Sequence, residues 1–256
     1  MTIKKNLSRR SFLSASSLAA GFGFMTATNS VSAKSMNLLD ASSIYGPPLH
    51  VAKLNANENP YGPSLKAIEA MNEAIGNGAY YVDKSADILR EMIAEKHGLT
   101  KEHVLLSSGS SSSLTSLAMM ASQHGSILGS DLFWDATSKM GTRNSKYGIK
   151  RIAKTKDLSI DLDAMYSNID DETNLVQICN PNNPTGTIIP SENLKKFCKK
   201  ASLKTMVLVD EAYNEFTDNP EINTMIPLIK SGYNVVVTKT FSKIYGLAGM
   251  RVGYMI

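Results

Sequence analysis

The sequence predicts an α/β fold built on a mainly parallel central sheet, with helices on both faces. Two observations carry this. Short, continuous apolar runs recur along the chain ("HVLLS", "SILGS", "RIAKT", "LVQICN", "MVLVDEAY", "NVVVTKT"), and helix-like segments separate them. Strands that are apolar on successive residues are buried on both faces, and parallel strands need a crossover between them, usually a helix.

Each element has its own signal. Ser64 can cap a helix whose apolar positions Leu65, Ile68, Met71 and Ile75 keep helical spacing up to Gly76. A second helix is predicted from Ser85 to His97, with Ile88, Leu89, Met92 and Ile93 on one face and Gly98 as its stop. The intervening helices run from Ser111 to Ser122, Asp161 to Ile169, and Glu192 to Ala201 after the start signal Pro190-Ser191, and "RVGYMI" reads as a last strand. Before them "SSIYGPPLHVAKLNANENPYGPS" is rich in Pro, Asn and Gly and reads as an irregular arm. The domain reading is residues 1–33 as an export signal, 34–75 as arm and first helix, and 76–256 as one large domain.

Charge and cysteine usage exclude several function classes. Lys4, Lys5, Arg9 and Arg10 stand in residues 1–33 without an acid; of 27 basic residues this leaves 23 against 23 acidic ones. A neutral remainder does not support a nucleic-acid surface. The paired Arg9 and Arg10 before "SFLSASSLAAGFGF", with small residues up to Ala33, resemble a twin-arginine export signal, which implies a periplasmic or otherwise exported protein that loads its cofactor in the cytoplasm. Cys179 and Cys198 have no metal-ligand spacing and read as two buried free thiols, and the four histidines make no cluster. His97, just before Gly98, reads as a helix C-terminal residue favoured by the helix dipole.

In parallel sheets ligands bind beyond the carboxyl ends of the strands, so the polar residues after each apolar run carry the functional reading. "SSGSSSSL" places Gly109 at a tight turn and Ser110, Ser111 and Ser112 at a helix N-terminus, a natural phosphate cradle; the bland alternative is a serine linker. "CNPNNPTG" holds the chain in a rigid turn that fixes where Asn183 points. "VLVDEAY" ends an apolar strand on Asp210, a carboxylate that is costly there unless paired, with Tyr213 three residues on; Glu211 reads as a solvated or helix-starting acid. "VVVTKTFSK" delivers Lys243 beside Thr240 and Ser242, with Arg251 eight residues further, whereas Lys239 reads as an ordinary solvated lysine. A cradle, an acid, a phenol, an amide and an amine form the set that pyridoxal 5'-phosphate requires.

The strings "LNANENPYGPS", "NPNNPTG", "VDEAY" and "TFSKIYGLAGMRVGY", in this order, resemble the class I/II pyridoxal-phosphate aminotransferases of fold type I, and most of all their histidinol-phosphate aminotransferase branch. The resemblance implies that Lys243 holds the cofactor as a Schiff base and shuttles a proton. It implies that Asp210 pairs with the pyridine nitrogen, and that Asn183 and Tyr213 hydrogen-bond the ring oxygen. Thr240, Ser242 and Arg251, with Ser110 to Ser112, would bind phosphate, and Trp134 would stack on the ring. Tyr81 would reach the phosphate of a neighbouring subunit in a homodimer, and Asn57, Asn59 and Tyr61 would line the substrate entrance. Three positions depart from the commoner family pattern: Ser111 and Ser112 stand in place of Asp-Glu, Trp134 in place of Tyr, and "YVD" in place of "YPD". Relatives continue for about another hundred residues as a small domain, so the resemblance also implies a chain without that domain. The implied activity is amino transfer between an amino acid and a 2-oxo acid. The alternatives are an inactive, cofactor-binding fragment and a decarboxylase or lyase of the same fold. No metal, nucleic acid or stable membrane partner is expected.

Overall fold

The computed structural model describes Gly46, Pro47 and residues 51–256; the export-signal segment 1–33 lies outside the described residues. Every element that follows lies in one compact unit, residues 57–256.

Seven strands form one sheet: β1 Leu105–Ser108, β2 Ser126–Ser130, β3 Ile149–Ile152, β4 Thr173–Cys179, β5 Met206–Asp210, β6 Val235–Thr240 and β7 Val252–Met255. Their order is β1-β7-β6-β5-β4-β2-β3. Strands β2 to β6 run parallel, while β7 is antiparallel to both β1 and β6.

The helices are α1 Leu65–Ala74, α2 Asp83–His97, α3 Gly109–Ala121, α4 Ala136–Thr142, α5 Leu162–Ser167, α6 Ser191–Ala201, α7 Pro220–Asn223 and α8 Ile226–Lys230. Ser64 caps α1, its Oγ accepting from the Ala67 amide at 3.2 Å, and Gly98 ends α2 in the left-handed conformation (φ 64°).

Successive strand residues feed opposite layers, as the pleat requires. Ile127, Leu175 and Leu208 pack against Leu114, Leu117, Ala118 and Ala121 of α3 on one face. Leu128, Val176, Val207 and Val209 pack on the other with residues of α2, α5, α6 and α8. Cys179 and Cys198 are free and buried. Burial pushes both thiols up, Cys198 to about 12.

Three elements differ from what periodicity suggests. Helix α1 forms, yet none of its residues is buried: Leu65 is 77% exposed, and Ile75 just after it 80%. Helix α4 has no apolar period; it is seated by Gly141, where an added Cβ would come 2.5 Å from the Cβ of Ala118. At the end of α2 the dipole does not govern His97. Burial, reinforced by Lys239 and Lys96, lowers its pKa from 6.5 to about 4, and the ring lies 3.1 Å from the Tyr254 hydroxyl.

Candidate active site

The carboxyl ends of β4, β5 and β6 lie side by side, with Cys179 paired to Asp210 and Asp210 to Thr238. Because β7 runs back antiparallel, its first residues return to the same edge. Gly253 pairs with Thr240 and with Ser107, and Val252 with Ser108. This single reversal brings Arg251 to the start of α3 and to the segment that carries Lys243.

Asp210 closes β5 and is 4% exposed; its Oδ1 accepts from the Ala212 amide and the Thr238 hydroxyl, each at 3.2 Å. Burial outweighs these bonds and raises its pKa from 3.8 to about 6. A carboxylate so placed calls for a cationic partner, and among the described residues none lies within ion-pair distance of it.

Asn183 and Tyr213 meet above this edge. Asn183 Nδ2 donates to the Tyr213 hydroxyl at 3.3 Å, and Asn57 Nδ2 donates to the same oxygen at 3.2 Å. The turn holding Asn183 is anchored from beneath. Asn182 Nδ2 donates to Leu132 O at 3.2 Å and to Thr185 Oγ1 at 2.8 Å, while Asn180 Oδ1 accepts from the Ile189 amide at 2.8 Å. A cavity of about 330 Å³ opens here, lined by Asn57, Asn183, Pro184, Tyr213 and Phe216 among others.

Lys243 Nζ donates to the carbonyl of Asn57 at 3.0 Å and lies 5.4 Å from the centre of the Tyr213 ring. Burial lowers its pKa, Arg251 lowers it further, and Glu58 and Asp210 act in the opposite sense. This is the direction that a nucleophilic amine needs. Asn59 Nδ2 donates to Ile244 O at 2.9 Å, so the arm is bonded to the lysine segment at two places.

The cradle sits beside it. Thr240 Oγ1 donates to Ser242 Oγ at 3.0 Å; Arg251 Nη1 reaches Ser242 Oγ at 3.5 Å and Ala248 O at 3.0 Å. Gly109 (φ 67°) opens α3, and an added Cβ there would overlap the Arg251 guanidinium. At Gly253 an added Cβ would lie 2.5 Å from the Ser110 amide nitrogen. The start of α3 thus offers backbone amides and an arginine at one point, with the side chains of Ser111 and Ser112 exposed. These features fit a phosphorylated cofactor: the cradle suits a phosphate, and the buried carboxylate suits a protonated ring nitrogen.

Lys243, Asp210, Asn183, Tyr213, Asn57, Asn59, Thr240, Ser242, Arg251 and the Ser110 backbone are therefore gathered at one sheet edge. Trp134 follows β2 in the loop that Asn182 holds through Leu132, and is 45% exposed. The Tyr61 amide donates to Asn59 Oδ1 at 3.0 Å, while the residue itself is 93% exposed, and Tyr81 is 97% exposed.

Two readings of the sequence are corrected. Lys239 is not solvated: its side chain is 4% exposed and pairs with Glu211 at 3.1 Å and Glu215 at 2.7 Å. Burial works against its charge, but the two carboxylates prevail and raise its pKa. Glu211 is not solvated either, at 1% exposed. Thr238, which bonds Asp210, was missed, although alternation along β6 places it on the same face as Thr240. Among the described residues no group of three His, Cys, Asp or Glu is placed to hold a metal ion.

Known proteins resemble this chain in sequence and fold. The family model for aminotransferases of class I and II matches residues 50–256. A histidinol-phosphate aminotransferase of Halalkalibacterium halodurans is 35% identical over 206 residues, covering 80% of this chain and 55% of that protein. Histidinol-phosphate aminotransferase 2 of Carboxydothermus hydrogenoformans is 38% identical over 211 residues, covering 80% and 57%. Among solved structures, histidinol-phosphate aminotransferase from Sinorhizobium meliloti in complex with pyridoxal-5'-phosphate superposes with a TM-score of 0.69 at 25% identity, covering 80% of this chain and 55% of that one. The chain thus spans little more than half the length of the curated relatives it matches.

Proposed function

The chain belongs to the aminotransferase class I and II family, and on that premise we propose that it transfers an amino group between an amino acid and a 2-oxo acid with pyridoxal 5'-phosphate as cofactor. The observation that carries this reading is the convergence of Lys243, Tyr213, Asn183 and Asp210 at one sheet edge, next to the Arg251 and α3 cradle.

The bound cofactor supplies an electron sink for charge developing at the substrate α-carbon. The residues of this chain do the rest. The backbone amides at the start of α3, Ser242 Oγ and the Arg251 guanidinium bind the phosphate. Asp210 would pair with the protonated ring nitrogen. Asn183 Nδ2 and the Tyr213 hydroxyl would hydrogen-bond the ring oxygen. Lys243 Nζ, its charge disfavoured by burial, supplies the amine that holds the cofactor and then takes a proton from, and returns one to, the α-carbon. Asn57, Asn59 and Tyr61 would line the approach from the arm, and Trp134 would stack on the ring from the end of β2.

We extend the proposal to assembly and location. Tyr81, 97% exposed, would serve a second subunit's phosphate in a homodimer. Arg9 and Arg10 with the small-residue run behind them support twin-arginine export. Fusion of residues 1–33 to a reporter, with Arg9 and Arg10 replaced by Lys as control, tests the second point: only the unaltered segment should export.

The reaction is tested by mixing the purified, cofactor-loaded chain with a panel of amino donors and 2-oxo acids. Amino transfer that disappears in Lys243→Ala supports the proposal. Loss of CO2 or elimination without amino transfer would assign a lyase of the same fold instead.

A further inference from the structure

Behind the proposed cofactor site, on the opposite face of the sheet, lies an ion triad, with Lys239 and Glu211 buried and Glu215 partly so, that the reaction itself does not use. Thr238 and Thr240 of β6 face the site, and Lys239 between them faces away. Its ammonium binds Glu211 Oε2 at 3.1 Å and Glu215 Oε1 at 2.7 Å. Glu211 is fully engaged: Oε1 accepts from the Met225 amide and Oε2 from the Thr224 hydroxyl, both at 2.7 Å.

The two acids stand on either side of Tyr213, two residues before it and two after. Glu211 also follows Asp210 directly, and Lys239 is four residues before Lys243. One ammonium therefore ties both ends of the Tyr213 turn to the strand that leads into Lys243. Burying an ion pair is not needed to stabilise a core, because well-packed apolar residues of similar volume often serve as well or better. What the ionic arrangement adds is a fixed register between two chain segments.

We propose that Lys239, with Glu211 and Glu215, is a positioning residue that sets Tyr213 and Asp210 relative to Lys243. The inference rests on the cofactor reading above, and its test separates the two. Removing Lys239 alone strands the buried Glu211 and weakens any fold, so the informative variant is the neutral pair Lys239→Met with Glu211→Gln. Lys239→Arg is its companion, since a cavity of about 830 Å³ bordered by Lys239, Glu215 and Asn214 leaves room for the guanidinium.

Three quantities are read on the full chain: the thermal midpoint without cofactor, the dissociation constant for pyridoxal phosphate, and the pH midpoint of the bound cofactor's absorbance. The neutral pair should keep a thermal midpoint near that of wild type yet bind cofactor about tenfold more weakly. Its absorbance midpoint should rise, because the Tyr213 hydroxyl no longer meets the ring oxygen. Lys239→Arg should restore both. Wild-type affinity and midpoint in the neutral pair would overturn the inference while leaving the cofactor site standing. Failure of the wild-type chain to bind pyridoxal phosphate would remove the site reading and this inference with it. If the neutral pair does not fold, Glu215→Gln, at the more exposed arm of the triad, bears the same test, and unchanged affinity and midpoint there would equally overturn it.

Discussion

Asp210 carries a measurable cost when no cofactor offsets its charge. Its carboxyl titrates near 6 in the folded chain against 3.8 in the unfolded one. The folded state therefore holds the proton more tightly, and stability falls as pH rises from about 4 to about 6, by roughly 3 kcal/mol, and then stays level. His97 acts in the opposite sense: its pKa is lowered from 6.5 to about 4, so stability falls as pH drops through that range. Denaturant midpoints of cofactor-free wild type and Asp210→Asn at about pH 4 and pH 7 isolate the Asp210 contribution. The Asn variant should gain relative stability at the higher pH, and an unchanged difference would contradict the burial argument. Asp210 and Lys243 could be picked out from sequence because each follows an apolar run, where a charge needs a reason. The Lys239–Glu211 pairing could not, because it depends on β5 and β6 being neighbours, which no local pattern states.

At the scale of elements, two glycines hold the site together. Gly246 has φ 68°, and an added Cβ would overlap the Gly62 carbonyl of the arm. Gly246→Ala should lift residues 57–62, break the Asn57 contacts with Tyr213 and Lys243, and speed tryptic cleavage after Lys66. Cleavage at the wild-type rate would show that the arm is held by other means. Gly253→Ala pushes β7 against the start of α3, and should destabilise the chain by about 1–3 kcal/mol with weaker phosphate binding; chemical denaturation and cofactor titration read both. Most strands were legible because they are compact apolar runs flanked by turn residues; β3, with Lys150 and Arg151 at its centre, overlaps the "RIAKT" run at two residues only. The direction of β7 was not, since "RVGYMI" reads the same in either orientation and only its neighbours decide. Helix α4 escaped because "ATSKMGT" has no apolar period and is held instead by the close approach of Gly141 to Ala118.

For the whole molecule, the two-layer core and the exposed helices predict different responses. Leu208 is fully buried between β5 and α3, so Leu208→Ala should cost about 2–5 kcal/mol in denaturant unfolding. Leu65, Ile75, Tyr81 and Val82 are exposed apolar residues on α1 and near the start of α2, consistent with a face covered by a second copy in the proposed homodimer. Sedimentation should give a dimer, and Tyr81→Phe should weaken cofactor binding without changing assembly. The fold class and the edge where the site lies were open to sequence reasoning, because buried parallel strands force ligands to their carboxyl ends. The central claim, that Lys243 and not Lys239 holds the cofactor, is tested most directly by borohydride reduction of the cofactor-loaded chain, followed by digestion and mass spectrometry. The account predicts one pyridoxyl label, on Lys243. A label on Lys239, or none, would contradict it.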